Sequence, residues 1–203
     1  MMRIPETVEP AILPGKIVLN VATVGFSTEQ FVRLCADNRD LRFELTAEKE
    51  IVIMPPEFSE TALKSGEILN QILNWSKKSR TGVAFGSSAG FTLPNGAIRS
   101  PDASWIIRSR WDALTPAEKQ SFAPLCPDFV MEFRSSSDTL KELQAKMEEY
   151  MANGARLGLL IDPIRRKVYV YRPGQRPARL DEPASVSCEP EMPGLAFQFS
   201  EIW

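Results

Sequence analysis

The chain has 203 residues, 43% of them apolar and 25% charged, with a formal net charge of −2 and no histidine. The missing histidine excludes Ser-His-Asp and Cys-His nucleophilic machinery, imidazole-ligated zinc and HExxH metalloprotease chemistry. Acid–base work must then run on Asp, Glu, Lys, Tyr, Cys, water or a metal.

The length suits one domain with a substantial core. The chain is read as an N-terminal arm over residues 1–25, broken by Pro5, Pro10 and Pro14, followed by a single α/β domain over 26–203. Cys35, Cys126 and Cys188 are odd in number and form no CxxC, which suggests neither a zinc ribbon nor a disulfide framework. A reducing cytoplasm is expected. No signal peptide and no membrane span are expected, because no sufficiently long apolar run occurs. The near-neutral charge argues against a strongly basic nucleic-acid footprint and leaves a local basic cleft open. Neither GxxxxGK[ST] nor GxGxxG is present, so nucleotide cradling has no support.

In chain order, Ile17–Val24 reads as a strand or a packing segment, and Thr28–Cys35 as a short helix capped by Ser27. Leu41–Leu45 and Glu50–Met54 are β-like and are closed by Pro55-Pro56. Glu60–Lys78 is a helix, with Ile68, Leu69, Ile72, Leu73 and Ser76 on one stripe. Val83–Phe85 and Gly90–Leu93 are short strands, Pro94-Asn95-Gly96 a turn, and Ala97–Ile107 one longer strand. Thr115 and Glu118 form a capping box that opens a short helix over about 116–122. Asp128–Arg134 is apolar on both faces and hence central. The spacing of Leu140, Leu143, Met147, Tyr150 and Met151 predicts a helix over 138–153, ended by Asn153-Gly154. Leu157–Ile161 and Lys167–Arg172 follow as strands, with an alternating FQF segment in the tail. A crossover helix between Asp128–Arg134 and Leu157–Ile161 implies that those two strands are parallel.

Asp102 and Glu132 are acids within apolar strands, a costly placement unless they are paired or metal-bound. With period two along 97–107, Ser100, Asp102 and Ser104 share one face and Arg99, Ala103 and Trp105 the other. Two carboxylates on neighbouring strands form a natural hard-cation site, completed by water and substrate phosphate. Arg134, two residues after Glu132, shares its face and is either its ion-pair partner or a phosphate contact. On the following helix Lys146 lies about 60° from Leu143, at the edge of the buried stripe, and its stem can reach over the strand ends. Gln144 lies about 100° the other way and is discounted. The plain alternative for Lys146 is a surface pair with Glu142 or packing on Tyr150.

A Pro-Asp strand, then a Glu-x-basic strand, then a helix resembles the PD-(D/E)xK nuclease fold. More closely, FELTAEKEIVIMPP, GFTLPNGAIRSPDASWI, RWDALTPAEK, PDFVMEFRSSSDTL and KMEEYMANGARLGLLIDP resemble the Uma2 (DUF820) family of restriction-endonuclease-like proteins, over residues 40–172. The resemblance implies a mixed central sheet flanked by helices, with an added N-terminal β region, and Asp102 and Glu132 as the metal carboxylates. The fold's lysine position is Arg134 here, and arginine is a poor general base. The family pattern moves the lysine to Lys146. Glu44 matches a recurrent acid of the family, and Glu67 lies on the helix where related nucleases add a third acid.

The resulting expectation is a Mg²⁺- or Mn²⁺-dependent endonuclease acting on nucleic acid, DNA by family analogy. Asp102 and Glu132 would hold the ion, Lys146 would orient or help deprotonate the attacking water, and Arg134 would steady the phosphate. A homodimer is suggested by function alone and not by the sequence, because cutting both strands of a duplex is simplest with two sites. The alternative is a catalytically inactive nuclease-fold protein that binds DNA or another protein, favoured by Arg134 and the net charge of −2.

Overall fold

Two sheets meet at Ser100-Pro101-Asp102, where the chain leaves one and enters the other. The computed structural model describes residues 15–203, so the first fourteen residues of the arm lie outside the described residues. The elements are β1 (Ile17–Asn20), α1 (Thr28–Asp37), β2 (Arg42–Leu45), β3 (Glu50–Met54), α2 (Ser59–Ser79), β4 (Gly82–Gly86), β5 (Phe91–Thr92), β6 (Ile98–Arg99), β7 (Ala103–Ile107), α3 (Arg108–Ala113), α4 (Pro116–Lys119), β8 (Phe129–Phe133), α5 (Leu140–Ala152), β9 (Leu157–Asp162), β10 (Lys167–Tyr171), β11 (Ala178–Asp181), β12 (Ser185–Ser187) and β13 (Ala196–Gln198). The N-terminal sheet has the order β1-β3-β2-β6-β5, the central sheet β11-β10-β9-β8-β7-β4, and β12 pairs with β13.

The central sheet is mixed. β8 and β9 are parallel, with Glu132 opposite Leu160, while β7 and β8 are antiparallel. All five residues of β8 are buried, as expected of a strand that is apolar on both faces. Ile68 and Ile72 of α2 pack on the odd-numbered face with Phe129, Met131 and the C-terminal Phe197 and Phe199. Leu143, Met147 and Tyr150 of α5 pack on the other face with Val130 and Leu160. Glu132 projects on the α5 face, because side chains alternate along a strand. A smaller core of Phe31, Phe43, Leu45, Ile51 and Ile98 holds α1 on the N-terminal sheet.

The expected strand over Ala97–Ile107 is two strands in different sheets. β6 pairs with β2 and β5, and β7 with β4 and β8. Pro101 has no N–H to give a ladder, and the chain breaks there. The period-two assignment of faces across 97–107 therefore fails, and Arg99 is not set opposite Asp102 by alternation. α3, β11 and β12 are not among the elements expected from the sequence. The helix expected over 116–122 closes after one turn, although its Thr115–Glu118 capping box is present.

Gly82 has a steric reason to be glycine. A Cβ on Gly82 would meet the Trp105 ring and the Ile106 carbonyl, and the ring is itself held edge-on against Trp75. Gly82→Ala is expected to destabilise the fold by about 1–3 kcal/mol through overpacking, read as a lower urea midpoint with an unchanged slope.

Candidate active site

The site lies in a cavity of about 890 Å³ between the N-terminal sheet, the ends of β7 and β8, and α5. Asp102 follows the Pro101 break at the point where β7 begins. Its Oδ2 accepts the Phe133 N–H at 2.8 Å, one residue beyond Glu132 in β8. Its Oδ1 accepts no hydrogen bond among the described residues, and the Arg42 guanidinium lies 3.9 Å from it.

Glu132 is 3% exposed. Its Oε1 receives both the Lys146 ammonium, at 2.9 Å, and the Tyr150 hydroxyl, at 3.0 Å. Its Oε2 accepts no hydrogen bond among the described residues. It is also not one of the fully enclosed polar atoms without a partner, which are Ser104 Oγ and Trp105 Nε1, so it opens on the cavity that Glu132 lines.

Lys146 reaches the cluster because Leu143, Met147 and Tyr150 seat α5 on the sheet and leave residue 146 at the edge of that stripe. Its Nζ is 2.9 Å from Glu132 and 2.9 Å from Glu44, and lies 5.9 Å from the centroid of the Tyr150 ring. Glu142, the alternative surface partner, pairs instead with Lys16 at 2.9 Å. Glu44, from β2, is at the centre of the network. It also accepts the Ser100 N–H at 2.9 Å and pairs with Arg99 at 3.1 Å, and Arg99 in turn holds Glu149 at 2.6 Å.

The electrostatics follow from three carboxyls sharing few cations. Burial pushes Asp102 up to about 6, against the pull of Lys146 and the Phe133 N–H. Burial raises Glu132 as well; Lys146 opposes it, and the neighbouring Asp102 and Glu44 add to it. Burial would raise Glu44 too, but Lys146 and Arg99 bring it below the ordinary carboxylate range. Burial works against the charge on Lys146, yet Glu132 and Glu44 together lift its pKa above that of an ordinary lysine. The least satisfied negative charge therefore belongs to Asp102 and Glu132, the two acids with open oxygens.

No three His, Cys, Asp or Glu side chains form a ready-made metal cage among the described residues. A two-carboxylate set with open oxygens still fits Mg²⁺, which keeps several waters and takes substrate oxygens.

The structure brings together Asp102, Glu132, Lys146 and Glu44. Arg134 is not drawn in. Its Nη1 is held by the fully buried Asp162 at 2.9 Å and its Nε donates to the Asp138 carbonyl, so its ion-pair partner is Asp162 and not Glu132. The reason is register: Phe133 is opposite Ile161, and the next residue of β9 is Asp162. Glu67 and Gln144 are half-buried on their helices and do not line the cavity. Sequence reasoning missed Arg42, Arg99 and Glu149 and read Tyr150 as core or as a packing partner of Lys146, not as a donor to Glu132. The i+3 and i+4 offsets of Glu149 and Tyr150 from Lys146 are the signal that was available. Arg99→Met is expected to lower stability by about 3 kcal/mol, because it removes the cation that Glu44 and Glu149 share in a largely buried position; a thermal melt checks it.

The sequence model of the Uma2 family, described as "Putative restriction endonuclease", matches residues 28–200. This chain belongs to the Uma2 family. The crystal structure of "a putative nuclease belonging to DUF820" from Anabaena variabilis ATCC 29413 is similar to it, with a TM-score of 0.66 and 24% sequence identity, covering 79% of this chain and 88% of that one. The likeness supports the restriction-endonuclease-like fold. No curated protein matches. As a Uma2 protein the chain is nuclease-like, and none of its described helices is long and apolar enough to cross a membrane.

Proposed function

We propose that this Uma2 protein is a metal-dependent endonuclease that hydrolyses phosphodiester bonds in nucleic acid, with DNA as the first substrate to test. The observation that carries the reading is the pair of open carboxylate oxygens on Asp102 and Glu132, set beside the Lys146 ammonium in one cavity.

Asp102 and Glu132 would hold Mg²⁺ or Mn²⁺. When bound, the ion supplies Lewis-acid stabilisation of a phosphoryl oxygen and a more acidic water. Lys146 and the Tyr150 hydroxyl both pin Glu132 Oε1, which leaves Oε2 aimed at the cavity. Held between two carboxylates, the Lys146 ammonium serves to orient the attacking water as a donor. Glu44 keeps that ammonium in place, and Arg99 with Ser100 keeps Glu44 in place. A homodimer would present two such cavities to the two strands of a duplex.

The test is a purified-protein assay on supercoiled plasmid and on labelled DNA and RNA oligonucleotides, with Mg²⁺, Mn²⁺ or EDTA. Nicking that needs the cation supports the reading. No cation-induced thermal shift together with no cleavage overturns it.

One observation favours a second reading, a nuclease-fold protein without catalysis. Ten carboxylates line the cavity against four cations, Lys16, Arg42, Arg99 and Lys146, so the described cavity repels a polyanion unless cations are bound. Salt-sensitive DNA binding without cleavage in any cation would support that reading's DNA-binding form.

A further inference from the structure

We infer that Arg42 is the residue that grips the substrate phosphate, an assignment that rests on the nuclease reading above. Of the four cations lining the cavity, two are immobilised deep within it. Arg99 is fixed between Glu44 and Glu149, and Lys146 between Glu44 and Glu132. Lys16 is held in a pair with Glu142 at 2.9 Å. Arg134, the residue that the Glu-x-basic pattern offers for this task, is locked on Asp162.

Arg42 differs in how loosely it is held. Its guanidinium lies 3.5 Å from Glu57 and 3.9 Å from Asp102, and both distances are beyond good hydrogen bonding. Among the described residues its one hydrogen bond goes to the Ser87 carbonyl, at 3.2 Å, which leaves most of its five N–H donors unused. Its backbone is nevertheless fixed, since β2 pairs Arg42 with Met54 of β3. The side chain is 34% exposed and lies 3.9 Å from the Asp102 oxygen that accepts no hydrogen bond among the described residues. A cation on Asp102 would cancel the weak attraction that now draws the guanidinium there. The guanidinium keeps Glu57 at 3.5 Å and the Ser87 carbonyl at 3.2 Å, and its remaining N–H donors can then turn to phosphate oxygens as a planar fork, a geometry that lysine cannot copy. In a cavity so rich in carboxylates, an anion can approach only where the bound cation and a free guanidinium meet.

The experiment measures binding of fluorescein-labelled DNA oligonucleotides in Ca²⁺, across a salt series, together with steady-state cleavage in Mg²⁺. Arg42→Gln is expected to raise Kd and KM about ten- to a hundred-fold and to flatten the salt dependence by about one phosphate contact. Arg42→Lys is expected to recover only part of the loss. The Mg²⁺-induced rise in Tm should persist in Arg42→Gln, because removing a cation beside Asp102 does not weaken a cation held there.

Wild-type Kd and salt slope in Arg42→Gln would overturn the assignment. So would loss of the Mg²⁺ shift together with the DNA affinity, which would make Arg42 a structural support of Asp102. If the wild type itself neither binds nor cuts in any cation, the nuclease reading falls and takes this inference with it. If the wild type cuts and Arg42→Gln cuts equally well, only this inference falls.

Discussion

Asp102→Asn is expected to abolish Mg²⁺-dependent cleavage, by about 10³-fold or more, while leaving the melting temperature nearly unchanged. The asymmetry follows from the two oxygens. Oδ2 accepts the Phe133 N–H, and an asparagine oxygen can do the same. Among the described residues Oδ1 accepts no hydrogen bond, Asp102 lines the cavity, and the charge it carries is what a divalent cation uses. Asp102→Ala is expected to lose the same activity and in addition about 1–3 kcal/mol of stability, because it orphans a buried backbone donor. Plasmid nicking, with a thermal melt across a Mg²⁺ titration, separates the two variants. The Mg²⁺-induced rise in Tm should vanish in both. Cleavage by Asp102→Asn equal to that of the wild type would assign the activity to a contaminant and end the metal-site reading.

Lys146→Met is expected to be the most destabilising single change at the site, costing about 3–5 kcal/mol. The ammonium sits 2.9 Å from both Glu44 and Glu132, each 3% exposed, so its removal leaves two buried carboxyls without their shared cation. Cleavage should fall by about 10²–10⁴-fold, as for loss of a positioned proton-donating group. The double variant Lys146→Met/Glu132→Gln is expected to regain part of the stability and none of the activity, with a coupling energy of about 1–3 kcal/mol. Urea unfolding of the wild type, both single variants and the double variant closes that cycle. A Lys146→Met protein within 1 kcal/mol of wild type, an order-of-magnitude threshold, would show that the ammonium is not held between the two acids.

The elements that carry the site were legible because their patterns are local. Four apolar residues around Glu132 in Phe129–Phe133 indicated a central strand, and the stripe of Leu143, Met147 and Tyr150 indicated a helix that covers it. The cost of burying a charge singled out Asp102 and Glu132, and angular position on the helix singled out Lys146 over Gln144. Each of those inferences needs only neighbours within one turn or one strand.

The partners were not legible. Long charged side chains choose among whatever the assembled sheets bring within reach. Phe133 facing Ile161 gives Arg134 to Asp162 rather than to Glu132, and the docking of β2 beside β6 makes Glu44 the shared partner of Lys146 and Arg99. The absence of histidine and the chemistry of two acids and a lysine are properties of the sequence alone. Which cations are tied down and which one, Arg42, remains available was decided only by tertiary structure, because ion pairing depends on distances of a few ångströms between segments far apart in the chain.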